Sequence, residues 1–456
     1  MSGRNLLSRL IHESGHKLEA NHGLIVFPDW VGAALNGTGT FEWWTGELTR
    51  YHEHIKFDGI WIDMSEVASF CEGSCGSNRT IGIDSPPDFL AGTVSHQMGA
   101  EEQLTLRVHP RHRSVNRPPY KINNVHGPIS IKTVAPEATH HGGILEYDVH
   151  NLFGHQILNA TYHALLSIQP EKRPFIIGRS TFAGSGKYAG HWGGDNYSLW
   201  AYLYFSISQA LSFSIFGFPM FGIDACGFGL DADAEQCARW MELAAFFPFY
   251  RNHNAVGRPS QEPYVWEVVA EASRRAMKIR YSLLPYFYTL LQRAHERGDT
   301  VLRAMAWEFP DEPWLADADR QFLVGPAILV TPVLVKGATS VDGVFPGTGS
   351  GTVWYDWYTH EKVQTSRGEN ITLAAPVEHI PLHIRGGHIV AIQEPGLTTK
   401  ESRQGAWELL VALNEDGTAW GEVYIDDGES LVQDKTLVVD VSYNILPKSL
   451  NCTTRR

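Results

Sequence analysis

No stretch of this sequence approaches the eighteen or so consecutive apolar residues of a membrane-spanning helix, which argues against a helical span and a membrane partner. The amino terminus, MSGRNLLSRLIHESGHKLEA, has no signal-like apolar segment, so the chain as written carries no signal peptide. Positive charge is scarce: 37 Lys and Arg against 50 Asp and Glu leave a net charge of -13 and a pI near 5.9. A phosphate-binding surface needs a basic stripe, so nucleic acid is excluded as a partner. The cluster RVHPRHRSVNR, from Arg107 to Arg117, is interleaved with His and Pro and reads as a solvated loop insertion. There are only 5 cysteines, and neither suggestive pair has the two-residue spacing of a zinc knuckle or a His cluster to complete it, so no metal is expected. The sole candidate phosphate loop, GSG at 184–186, is too weak to support a phosphate-binding barrel. Internal repeats and low-complexity segments are absent too.

What is present is a long chain with 43% apolar and 11% aromatic residues, enough for a large core in two to four domains. From about 145 to 306 helical and strand-like segments alternate: DVHNLFGHQILNATYHALLSI is helical by period, RPFIIGRSTFAG is a strand entering a Gly-Ser loop, and NYSLWAYLYFSISQALSFSIF is helical again. FPMFGIDACGF ends a further strand, and DAEQCARWMELAAFFPF opens with the acidic first turn of a helix. The segment 265–296 reads as one amphipathic helix kinked at Pro285. This rhythm implies a parallel sheet or barrel. After about 306 come strand-like runs separated by Gly, Pro and Asp turns, as in β-sandwiches.

Within FDGIWIDMSE, the run Ile60, Trp61, Ile62 has the look of a short buried parallel strand, and Asp63 ends it. A carboxylate there either caps a following helix or serves chemistry on a barrel loop. A second acid, Asp195 in GKYAGHWGGDNYSLW, has the same setting: strand, Gly-rich loop, acid beside a Trp. Alone, each reads as a cap. Together, with aromatic platforms, they match glycosidic cleavage, in which one carboxylate attacks or stabilises the anomeric centre and the other protonates the leaving oxygen.

Six Asn-X-Ser/Thr sequons, at Asn36, Asn78, Asn159, Asn196, Asn370 and Asn451, give weak support for export. Cys71 and Cys75 bracket CEGSC in a Gly-rich loop, and Cys226 and Cys237 flank another. Disulfides in an oxidising compartment fit these pairs better than metal does and leave Cys452 unpaired.

Seven ordered motifs, DGIWIDMSE, FCEGSCG, PPYKINN, GRSTFAGSGKYAGHWGGDN, GIDACGF, RWMELAAFFPFYRNHN and FLVGPAILVTPVL, closely resemble glycoside hydrolase family 31, and within it the fungal secreted α-glucosidases, from about Val26 to Gln433. The resemblance implies an α/β fold: the C-terminal part of a (β/α)8 TIM barrel over 26–306, after an atypical segment 1–25, then a proximal β-sandwich over 307–395 and the start of a distal β domain over 396–456. It implies a secreted retaining α-glucosidase without cofactor, acting on an α-glucoside or oligosaccharide, with Asp63 as nucleophile and Asp195 as acid/base. Arg179 would bond a ring hydroxyl, Asp224 would orient that arginine, and His253 would bind sugar. Phe228 would form an aromatic wall, while Trp61, Met64 and Trp192 line the subsite of the non-reducing glucose. The triplet Trp-Pro-Gly that the family places before VFPDW is replaced by NHGLI, and no residue takes the role of one substrate-binding aspartate from the family's first strands. Truncation at both ends is therefore expected, with poor folding and little activity, since the remaining parallel strands would expose unpaired edges. The alternatives are an inactive sugar-binding relative, or an α-xylosidase or transglucosidase of the same family.

Overall fold

The structure, a computed structural model, describes residues 28–37, 39–67, 115, 133–134, 136, 138–446 and 448–455. The pair Cys71 and Cys75 and the sequon at Asn78 lie outside the described residues. The chain divides into two compact units. The smaller has among its described residues 28–29, 67 and 138–150, where the His140 ring lies between Asp29 and Glu146, 2.7 Å from an oxygen of each, and His150 Nδ1 is 2.9 Å from the other Glu146 oxygen.

The larger unit opens with helices α1 (Trp30–Asn36) and α2 (Thr40–His54). α2 packs on α3 (Phe153–Ile168), and the Trp44 indole N–H donates to Thr161 Oγ1 at 3.0 Å. Strands β1 (Gly59–Ile62), β2 (Phe175–Gly178), β3 (Gly190–Trp192) and β4 (Phe221–Gly222) form a parallel sheet in that order. The registers align Ile62 with Gly178, Gly178 with His191, and Trp192 with Gly222. Ile223 alone separates β4 from β5 (Asp224–Ala225), which pairs in parallel with β6 (Arg251–Asn252). Gly222 is required where it stands: a Cβ there would lie 2.2 Å from the Phe249 carbonyl oxygen. In a parallel sheet all carboxyl ends share one edge, so whatever follows these strands is gathered on one side. The strands alternate with α4 (Trp200–Ile215) and α5 (Ala234–Ala244), the latter capped by Asp233, whose side chain accepts from the Gln236 N–H at 2.8 Å.

The single kinked helix expected over 265–296 is two helices, α6 (Glu267–Ser282) and α7 (Leu284–Arg297), parted at Leu283. Pro285 lies in the first turn of α7, where a missing N–H is tolerated; in an uninterrupted helix its ring would strike the carbonyl four residues back.

The rest is β-rich. A five-stranded sheet runs β11 (Trp354–Asp356), β13 (Leu382–Arg385), β9 (Ile328–Val330), β8 (Phe322–Val324), β7 (Leu302–Arg303), with β10 (Ser340–Gly343) and β12 (Ile371–Ala374) paired beside it in sequence. A second has the order β15 (Trp407–Ala412), β14 (His388–Gln393), β16 (Thr418–Ile425), β17 (Leu437–Asn444), β18 (Ser449–Arg455). One core runs from α4 and α5 through α6 and α7 into the first of these sheets, joining Ile207, Trp240, Phe247, Leu290, Val330 and Leu382.

Candidate active site

Asp63 leaves β1 and does not cap a helix: no helix follows among the described residues to 67, and its Oδ1 accepts from the Met64 N–H at 2.7 Å. Asp195 does not cap one either, because α4 begins at Trp200 with Leu199 as its cap residue. Both acids turn instead to Arg179, which follows β2 and whose backbone N–H donates to the Ile62 carbonyl at 3.3 Å. Arg179 Nη1 lies 3.2 Å from Asp63 Oδ1 and 3.4 Å from Asp195 Oδ1, so those two oxygens lie no farther apart than the sum of these distances. The other nitrogens of Arg179 hold Glu66, at 2.8 Å and 3.2 Å. Burial works against the arginine's charge, but the Glu66 hydrogen bond and the charges of Glu66, Asp63 and Asp195 outweigh it and raise its pKa. Burial raises the Asp195 carboxyl; Arg179 and His253 oppose that, while Asp63 and Glu66 add to it.

Asp224 departs from its expected role. It is fully buried and pairs through Oδ1 with Arg251 Nη1 at 2.7 Å, not with Arg179, whose carboxylate partner of closest approach is Glu66. The reason is register: β5 and β6 set Asp224 opposite Arg251. Burial first, with Asp195 and Asp63 adding, pushes the Asp224 carboxyl up to about 7 against Arg251.

The aromatic residues gather around these charges. Trp61 and Trp192 have ring centroids 4.0 Å apart, Phe249 is 5.7 Å from Trp61, and the Arg251 guanidinium lies 4.1 Å from the centre of the Trp61 ring. Trp192 is buried, whereas Met64 is 68% exposed, with φ +52°. Phe228 and His253 lie against each other at 5.2 Å. Burial, then the Arg251 charge, lowers the His253 pKa against Asp195 and Asp63.

All nine residues singled out by sequence therefore stand at or beside the carboxyl ends of β1 to β6. Glu66, Arg251 and Asn196 were missed. The first two sit inside the quoted DMSE and YRNHN segments, and the signal was a further acid soon after Asp63 and an arginine just before His253. Asn196 reads as a sequon, yet its amide is committed to Asp224 and Phe228. The Asn159 amide is likewise turned inward, with a buried Oδ1. Cys226 and Cys237 form a disulfide, and Cys452 is free and exposed. Among the described residues no cluster of three or more His, Cys, Asp or Glu is arranged to hold a metal, and no helix is long and apolar enough to cross a membrane.

The profile of the glycosyl hydrolases family 31 TIM-barrel domain matches residues 8–290, and that of the family 31 C-terminal domain matches 298–390. An alpha-glucosidase of Aspergillus niger is 51% identical over 456 residues, covering 92% of this chain and 46% of its own length. Glucoamylase 1 of Candida albicans is 48% identical, covering 92% of this chain and 47% of its own. A crystal structure of the glucosidase II alpha subunit superposes with a TM-score of 0.65 at 36% identity, over 68% of this chain and 34% of that one. The chain spans about half the length of the curated relatives it matches.

Proposed function

The chain belongs to glycosyl hydrolase family 31, and from that premise we propose that it is a retaining α-glucosidase releasing the terminal non-reducing glucose of malto-oligosaccharides or related α-glucosides. The observation that carries this reading is the convergence of Asp63 and Asp195 on one nitrogen of Arg179. Retaining enzymes place their two carboxyls about 5–5.5 Å apart and inverting ones about 6.5–9.5 Å apart, and the two distances to Arg179 cap the separation of the facing oxygens near the bottom of the inverting range. The relatives' names, alpha-glucosidase, glucoamylase and glucosidase II, support the same substrate class.

In the first step an Asp63 oxygen bonds the anomeric carbon as the bond from that carbon to the leaving oxygen breaks. Asp195, whose pKa burial raises, gives its proton to the leaving oxygen. In the second step water attacks the same carbon, Asp195 takes the water proton, and the bond to Asp63 breaks, so both carboxyls are restored and configuration is retained. Trp61, Met64, Phe228 and His253 form the sugar-binding walls, with buried Trp192 packed behind Trp61 at 4.0 Å, and Arg179 holds a ring hydroxyl once substrate enters. The disulfide between Cys226 and Cys237 supports an oxidising, extracellular location.

The test is hydrolysis of methyl α-glucoside, whose only sugar product is the transferred glucose, followed by proton NMR, with Asp63→Asn and Asp195→Asn beside the unaltered chain. The expected result is α-glucose as first product and a loss of about 10³-fold in either variant. β-Glucose appearing first, or variants as active as the parent, would overturn the assignment.

A further inference from the structure

Asp195 is half exposed, with its side chain touching Arg179 at 3.4 Å, so its placement is inherited from the backbone that carries it. On its near side Gly193 donates its N–H to the Gly222 carbonyl at 3.0 Å and accepts from Gln209 Nε2 at 3.4 Å, and Gly194, with φ +73°, has no side chain to hold the turn into Asp195. On its far side stands Asn196, whose Nδ2 donates to the Asp224 carbonyl at 3.0 Å and whose Oδ1 accepts from the Phe228 N–H at 3.0 Å. Three backbone bonds run alongside: the Gly229 and Phe228 N–H groups donate to the Asn196 carbonyl at 2.8 Å and 3.1 Å, and the Ser198 N–H donates to the Gly229 carbonyl at 2.8 Å.

The segment that Asn196 grips is firmly anchored from its other side. Cys226 is tied to α5 by the disulfide, and Gln261 Nε2 donates to the carbonyls of Gly227 at 3.1 Å and His253 at 3.0 Å. A Cβ on Gly227 would fall 2.4 Å from Ser198 N, so the two loops lie in direct contact. One end of the tether is therefore fixed to the sugar-binding wall, and the other is the residue next to the proposed acid. Among side chains of this length only an amide supplies both a donor and an acceptor; Asp could accept but not donate, and Ala could do neither.

We infer that Asn196 is a positioning residue: its amide ties the Asp195 loop to the Asp224–Phe228 loop and so sets where the Asp195 proton is delivered relative to the bound sugar. This rests on the α-glucosidase reading. Asp195 bears on kcat/KM in proportion to how much the leaving group needs a proton. A sugar alkoxide needs one, whereas 2,4-dinitrophenolate leaves without it. Misplacing the acid thus slows maltose cleavage selectively, while general damage to the pocket slows both.

The experiment compares the full chain with Asn196→Ala, Asn196→Asp and, as benchmark, Asp195→Asn on maltose and on 2,4-dinitrophenyl α-glucoside. Asn196→Ala is expected to lose about 10- to 100-fold in kcat/KM on maltose, the scale of a misplaced catalytic group, and less than about threefold on the dinitrophenyl glucoside. Asn196→Asp, which keeps the acceptor, falls between. Equal losses on both substrates, or none on maltose, overturn the inference. Amide hydrogen exchange across 224–230 gives a readout independent of turnover: the Phe228 N–H is shared between the Asn196 side chain and the Asn196 carbonyl, so in Asn196→Ala it keeps one of two acceptors and should exchange about threefold faster, with Gly229 unchanged. Unaltered exchange at Phe228 overturns the tether. A parent chain that cleaves neither glucoside counts against the α-glucosidase reading, and the exchange result then decides the tether by itself.

Discussion

Asp224 is held by Arg251, whose Nη1 lies 2.7 Å from its Oδ1, with the same guanidinium over the face of Trp61. Asp224 is fully buried and its Oδ2 has no hydrogen-bond partner, so Arg251 is its charged partner within contact distance. Removing the arginine leaves a buried carboxyl uncompensated, and Arg251→Met should cost about 3 kcal/mol. Asp224→Asn combined with Arg251→Met should cost less than the two single changes together, by about 1–3 kcal/mol. Urea unfolding of the four proteins measures the coupling, and simple additivity would show that the pair does not act as a unit.

The pH dependence follows from the charges around Asp195. Burial raises its pKa, Asp63 and Glu66 raise it further, and Arg179 and His253 pull it down. As the acid, Asp195 works protonated, so kcat/KM falls as pH rises through its pKa. Glu66→Gln removes one raising charge and releases the Arg179 nitrogens that Glu66 occupies. Both changes favour ionised Asp195, and the alkaline limb should move to lower pH. A limb that stays put or moves upward would assign it to another group.

Much of this site could be read before its geometry was known, and the limit has a physical cause. Ile60 to Ile62, bounded by Gly59 and Asp63, carry a local strand signal, and a carboxylate at a strand's end is visible in one dimension. The capping alternative could be dismissed for Asp195 only once α4 was seen to start at Trp200, and for Asp63 only once no helix was seen among the described residues to 67. Pairings are a different matter: Glu66 with Arg179 and Asp224 with Arg251 are set by which strands lie side by side and in what register. Local sequence leaves that open, which is why Asp224 was matched to the wrong arginine. Asn196 was hidden for the same reason, since its partners lie about thirty residues onward.

The disulfide between Cys226 and Cys237 spans a sequence separation of 11 and anchors the loop bearing Asp224 and Phe228. For a loop of that size the loss of chain-entropy restraint should lower stability by about 3 kcal/mol when both cysteines become serine. Both sulfurs are buried, so mild reductant should act slowly on the folded protein and rapidly once it opens. Thermal melts of parent and double-serine variant, with and without reductant, test this. Equal melting temperatures would mean that hydrogen bonding from Gln261 and Asn196 suffices to hold the loop.

Glu242 offers a test of stability against pH that leaves the site alone. Arg239, on the same helix, donates to the carbonyls of Ala375 at 2.7 Å, Pro376 at 2.9 Å and Ala338 at 3.0 Å, while its nitrogen is 3.4 Å from Glu242 Oε2. Those carbonyls already satisfy most of the arginine, and Glu242 Oε1 has no partner, so burial prevails and pushes the Glu242 carboxyl up to about 8. The folded pKa lies above the unfolded value, so the folded chain binds a proton that the unfolded chain has lost between them. The stability from that proton is full below about pH 4.5 and is lost as pH rises through about 8. Glutamine in its place carries no such dependence. Glu242→Gln should therefore gain in melting temperature relative to the parent as pH rises from about 5 to about 8. A difference that stays constant over that range would mean that Glu242 is ionised when folded, with Arg239 and not burial controlling it.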